Sequence, residues 1–110
     1  LHEQDAVVRE SEVRLKDLHD QVAMEVRAAR LDLASGLEQG TVAHERVRLA
    51  EEEVAQARDR FVSGVAGNIE VINAQSSLLR ARDADIDARF AVASARVALA
   101  RAAGVARLVH

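Results

Sequence analysis

The stretch Phe61-Val62-Ser63-Gly64-Val65-Ala66-Gly67-Asn68-Ile69-Glu70-Val71-Ile72-Asn73-Ala74-Gln75 decides the fold of this 110-residue chain. About 60 residues of helical pattern precede its glycines and about 35 follow them. Gly64 and Gly67 stand three apart, and glycine ends a helix in a left-handed conformation without steric cost. Asn68 follows directly, and asparagine is a favoured N-cap for a helix beginning there. A connection this short forces the two helices to run antiparallel. The spacing therefore predicts one helix near residues 3–63, an irregular tip at 64–68, and a second helix near 69–103. The fold class is all-α, a long antiparallel helical hairpin with coiled-coil character, occupying residues 1–110 as a single fragment.

Composition agrees. Proline, tryptophan, tyrosine and cysteine are absent, and the two phenylalanines are the only aromatics. Ala, Leu, Arg and Glu, all good helix formers, dominate. Without proline, only glycine is left to stop a helix. Few large side chains means no thick globular core; Ala-rich stripes suit helices packed closely in a thin layer. A single hairpin buries one stripe per helix, so further helices are expected to complete the structure.

Along the first helix the apolar positions Leu15, Leu18, Val22, Val26, Ala29, Leu33 and Leu37 repeat as an eleven-residue pattern. Val47, Ala50, Val54, Ala57 and Phe61 then follow heptad spacing. Gly36 and Gly40 each cost up to about 1 kcal/mol inside a helix. They allow either a continuous helix with a closely approaching neighbour or a break giving three helices over 3–35, 41–63 and 69–103. No turn residues accompany them, which favours continuity. The stripe of the second helix is Ile72, Leu79, Ile86, Phe90, Ala93, Val97 and Ala100, with Val71 and Leu78 adding a second apolar face. Gly104 is placed to end that helix. Folding back from the tip then brings residue 103 near residues 28–30 and leaves residues 3–28 as an overhang.

Acidic side chains outnumber basic ones over residues 1–68, and basic outnumber acidic over 69–110. The two helices thus complement each other modestly. No basic stripe with interleaved aromatics exists, which argues against nucleic-acid binding. No apolar run approaches the ~18 residues of a membrane-spanning helix. The chain opens at Leu1 instead of Met, which reads as a piece of a longer protein.

Catalytic constellations are missing, and the chain is not read as an enzyme. His2, His19, His44 and His110 are scattered without metal-ligand spacing, and no metal or cofactor is expected. Glu51-Glu52-Glu53 is a solvated segment, with Arg58 and Arg60 spaced for local ion pairs. Ser76 and Ser77 have no neighbouring histidine base. Glu70 and Asn73 share one helix face in the first turn of the second helix. Glu70 there also complements the helix dipole, a structural role that needs no function.

These residues resemble the TolC family of outer-membrane efflux channels. Phe61-Val62-Ser63-Gly64 matches the family's aromatic-x-x-Gly helix end, and Glu70-Val71-Ile72-Asn73-Ala74-Gln75 its Glu/Asp-Val-Leu-Asp/Asn-Ala-Gln segment. Leu99 to Gly104 resembles the closing Leu-x-x-x-x-Gly. Val26-Arg27-Ala28-Ala29-Arg30-Leu31-Asp32-Leu33 is similar to the upstream Val-x-x-Ala-Tyr-x-Asp-Leu, and the similarity covers most of residues 7–104.

The resemblance implies a periplasmic α-barrel segment of an outer-membrane protein, carrying two such hairpins per protomer and assembled as a trimer. It implies a periplasmic adaptor and an inner-membrane pump as partners. It places Glu70 and Asn73 at the pore constriction, Ser63, Gly64 and Val65 at the adaptor contact, and Phe61, Gly67 and Asn68 in the tip. The Glu/Asn pair leans toward the second of the two repeats. Three departures stand out: Asn73 is neutral, Phe61 lacks the tyrosine hydroxyl, and Ala66 replaces the tip arginine of some relatives, so no latch carries over at that position. The alternatives are the coiled-coil hairpin of the adaptor itself, or a generic structural helical bundle.

Overall fold

The computed structural model describes residues 2–109, with Leu1 and His110 outside the described residues. Two α-helices, α1 (His2–Val62) and α2 (Asn68–Val109), are joined by residues 63–67. There is no strand among the described residues. The chain is an all-α helical hairpin and divides into two compact units, Leu1–Ala34 with Ser94–His110, and Ser35–Ala93.

In the unit holding the tip, the α1 positions withdrawn from solvent are Gly36, Gly40, Ala43, Val47, Ala50, Val54 and Ala57. On α2, Val71, Ala74, Leu78, Ala81, Asp85, Ala88 and Val92 are withdrawn in the same steps of three and four. Both sets follow the heptad repeat of helices packed side by side. In the other unit the pattern is His19, Val22, Val26, Ala29 and Leu33 on α1, with Ala95, Leu99, Ala102, Ala106 and Val109 on α2. Alanine, glycine and valine dominate both seams, so each position contributes little burial individually, roughly 0.8 kcal/mol per methylene-sized group. Length compensates for thinness.

This arrangement corrects several sequence expectations. The eleven-residue pattern in the first half of α1 gives way to heptad spacing, and Leu15, Leu18 and Leu37 are exposed. The stripe through Ile72, Leu79, Ile86, Phe90 and Val97 is exposed as well, and the face of Val71 and Leu78 forms the seam. Hydrophobic bulk is a misleading guide here: the seam selects mostly small residues, and most large side chains stand outside it.

The glycines at 36 and 40 do not break α1. They occupy seam positions, and a Cβ built on Gly36 would lie 3.5 Å from Cγ2 of Val92. A cost of about 1 kcal/mol at each is too small to interrupt a helix of 61 residues. Nor does Gly104 end α2, which continues to Val109 instead of stopping at 103. One glycine among Ala102, Ala103, Ala106, Arg107 and Leu108 costs only about 1 kcal/mol, too little to stop the helix. The longer α2 reaches the level at which His19 is half-buried, so the uncovered start of α1 is residues 2–18, shorter than expected.

Asp85 is the one buried charged residue among those described. Its Oδ2 forms an ion pair with Nη2 of Arg89 one turn later, 3.0 Å away. Asp85 takes its place in the α2 seam series between Ala81 and Ala88. On the solvated face Arg48 binds both Glu45 and Glu52. Its hydrogen bonds hold the Glu45 carboxyl below the usual carboxylate range, and the two carboxylates hold Arg48 above its ordinary value.

Candidate functional site

The tip is built by a helix C-cap. Gly64 has φ of 75°, the one positive φ among the described residues. Its N–H donates to the Phe61 carbonyl at 3.1 Å, and the Val65 N–H donates to the Arg60 carbonyl at 2.9 Å. Together these are the two bonds of a Schellman motif, which satisfies carbonyls a helix end leaves open. The Ala66 N–H also reaches the Arg60 carbonyl, at 3.2 Å. The Ser63 N–H and hydroxyl both donate to the Asp59 carbonyl, at 3.0 and 2.7 Å. Ser63, Gly64 and Val65 therefore form one fixed, exposed turn.

The second glycine behaves differently. Gly67 has no positive φ, and Asn68 is the first residue of α2, one place inside the cap position expected for it. The helix start falls on Gly67, which also serves at N-cap positions. Phe61 does not extend the α1 seam and is half exposed, beside the exposed Val62 and Val65.

Glu70 lies in the first turn of α2, where a carboxylate complements the partial positive charge of the helix start. It also has a partner. Arg60 Nε stands 2.9 Å from Glu70 Oε1, joining the last turn of α1 to the first turn of α2. Glu70, Asn73 and Arg60 line one open groove near the tip with Glu53, Gln56 and Ser77, floored by Ala57 and Ala74. The groove on the other side of the same unit is lined by Val54, Leu78 and Leu79 as well as Glu51, Arg58, Gln75 and Arg82. One side is thus almost wholly polar, the other mixed.

Sequence spacing correctly brings Glu70 and Asn73 together on one helix face, but it misses Arg60, which it assigns to local pairing with the Glu51–Glu53 run. In the structure Glu52 is taken by Arg48, and Glu51 stands 3.9 Å from Arg82 of α2. The signal available is topological: a residue just before a five-residue tip meets residues just after it. No cluster of His, Cys, Asp and Glu suited to a metal occurs among the described residues, and no described helix is long and apolar enough to cross a membrane.

A family described as outer membrane efflux protein matches residues 3–105 of the chain. No curated protein matches. No solved structure matches.

Proposed function

Since the chain belongs to the outer membrane efflux protein family, we propose that it forms a periplasmic wall segment of the tunnel, with residues 63–73 at the periplasmic entrance. The family is one of outer-membrane transport channels with periplasmic helical domains, and is not enzymatic. Its channels are trimers that work with adaptors and pumps. On this proposal, copies of Glu70 and Asn73 ring the constriction, and the Ser63-Gly64-Val65 turn is the grip for a periplasmic adaptor.

The observation that supports the reading is the polar groove holding Arg60, Glu70, Asn73, Gln56 and Ser77 together at the tip. A tunnel lumen is filled with water, so the side of the hairpin facing it must be polar. The mixed groove, with Val54, Leu78 and Leu79, suits contact with neighbouring helices. Carboxylates brought together in a constriction attract cations and concentrate them there. The exposed turn with its satisfied backbone offers a preformed surface for an adaptor helix.

Single-channel recording of the full-length trimer in planar bilayers tests the reading. Glu70→Gln should lower the cation preference measured from the reversal potential and weaken block by multivalent cations, with trimer assembly intact. Unchanged reversal potential and block would reduce Glu70 to a helix-dipole residue and remove it from the constriction.

A further inference from the structure

We infer that Arg60 determines how much of the Glu70 charge the channel entrance presents to a passing ion. The inference rests on the placement of Glu70 at the constriction, and adds a specificity-determining residue to it. Three observations carry it.

The first is the ion pair itself. Arg60 Nε and Glu70 Oε1 are 2.9 Å apart, and Arg60 is the one ion-pair partner of Glu70 among the described residues. A carboxylate paired at this distance acts at longer range as a dipole, whose field falls off faster than that of a free charge. The second is where Arg60 is anchored. Its carbonyl accepts N–H groups from both Val65 and Ala66, so its main chain is part of the cap that shapes the tip. The guanidinium therefore projects from a fixed point and not from a free helix surface. The third is the charge inventory of the groove: Glu53, Arg60 and Glu70 are its charged residues, and Gln56, Asn73 and Ser77 are neutral. With Asn73 adding no second carboxylate, the charge near Glu70 depends on whether Arg60 covers it.

Both side chains remain about half exposed, at 52% and 45%. Water and ions reach them, so the pair is open to competition. A divalent cation entering the ring competes with Arg60 for the carboxylate, and binds more weakly than to a bare carboxylate ring. The chain thus encodes an entrance with damped cation preference. Neutralising Arg60 should unmask it.

The full-length trimeric channel in planar bilayers, under a KCl gradient and with Mg²⁺ added at the entrance side, separates the possibilities. Arg60→Gln should raise the cation-over-anion permeability ratio and the sensitivity to Mg²⁺ block by roughly twofold or more. In a Glu70→Gln background, Arg60→Gln should add nothing. If Glu70→Gln lowers cation preference but Arg60→Gln leaves it unchanged, the constriction reading stands and the inference about Arg60 falls. If Arg60→Gln shifts selectivity equally in both backgrounds, Arg60 acts through its own charge and the inference is overturned. If neither substitution has any effect, the constriction reading itself fails. Should Arg60→Gln fail to assemble, the reversed pair Arg60→Glu with Glu70→Arg decides. Restored pairing keeps the permeability ratio within about twofold of the unsubstituted channel, and a strongly anion-selective pore overturns the inference.

Discussion

Arg60 and Glu70 meet across the hairpin tip, Nε to Oε1 at 2.9 Å, although ten positions of sequence and a change of chain direction separate them. The contact is half exposed, and exposed ion pairs typically contribute about 0.2–1 kcal/mol. A double-mutant cycle on Arg60→Ala and Glu70→Ala, followed by denaturant unfolding at fixed protein concentration, should give a coupling in that range. Such a value means the pair tunes charge without holding the fold together. A coupling well above 2 kcal/mol would mean that the pair is desolvated and structural.

The two tip glycines should respond unequally to alanine. Gly64 has φ of 75° and nothing within 4 Å of a built Cβ, so Gly64→Ala meets no clash but does meet backbone strain. That strain is about 1–2 kcal/mol. Gly67 has equal space and no positive φ. There alanine reduces unfolded-state freedom but is a poorer N-cap than glycine, so Gly67→Ala should cost less than Gly64→Ala, under about 1 kcal/mol. Thermal unfolding of the two variants side by side checks this. Equal destabilisation at both would show that Gly67 also has a backbone role.

The helical glycines separate stability from packing. A Cβ at Gly40 or Gly104 meets nothing within 4 Å, so Gly40→Ala and Gly104→Ala should each stabilise α1 or α2 by about 0.5–1 kcal/mol. At Gly36 the built Cβ reaches Val92 at 3.5 Å, ordinary contact distance, so the gain there should be no larger. Denaturant midpoints of the three variants test the order. A loss of stability at Gly40 would reveal a neighbour that approaches α1 at that position.

Asp85 in the seam should be more costly to strand than to remove. Arg89→Ala takes the guanidinium from a carboxylate side chain only 12% exposed, and a buried group left unpaired costs about 1–3 kcal/mol. Asp85→Ala removes the buried charge and places the best helix former in the α2 seam. Replacing buried ions by apolar groups is often neutral or stabilising. Melting temperatures should therefore fall for Arg89→Ala and hold or rise for Asp85→Ala. The reverse order would give Asp85 a stabilising role beyond its contact with Arg89.

How much of this is legible in the sequence follows from what the seam is made of. The hairpin, the tip and the continuity of α1 can be read because proline is absent and Gly64 leaves only one place to turn. The seam faces cannot be read from bulk, because Leu79, Ile86 and Phe90 outweigh Ala81, Ala88 and Ala95 in any search for apolar stripes. The heptad runs instead largely through residues whose virtue is smallness, including Gly36 and Gly40. At the tip, Glu70 and Asn73 are legible as a shared helix face, since both lie on one element. Arg60 is not, because its partner lies on the other helix and local spacing rules address one helix at a time.

The large exposed side chains lead to the last prediction. No described side chain is fully buried, and the buried apolar residues are Val22, Ala29, Ala43, Ala50, Val54 and Ala57. By contrast Leu31 is 70% exposed and Phe90 74%, with Ile72, Leu79 and Ile86 preceding Phe90 in one exposed row along α2. Ile72, Leu79, Ile86 and Phe90 fall at spacings of 7, 7 and 4, the pattern of a second coiled-coil seam awaiting other helices. Contiguous exposed apolar rows of this kind mark interaction surfaces in soluble proteins. Each such side chain gains roughly 1.5–3 kcal/mol when fully buried. The 110-residue chain should therefore self-associate, with copies packing through the Ile72–Phe90 row, and its melting temperature should rise with concentration. Sedimentation velocity over a roughly hundredfold concentration range measures this, and Leu79→Glu with Ile86→Lys should shift the distribution toward monomer while weakening cooperativity. A cooperative, concentration-independent monomer would mean that the Ala-rich seam alone supports the hairpin, and would leave the exposed row without a stabilising partner among copies of this chain.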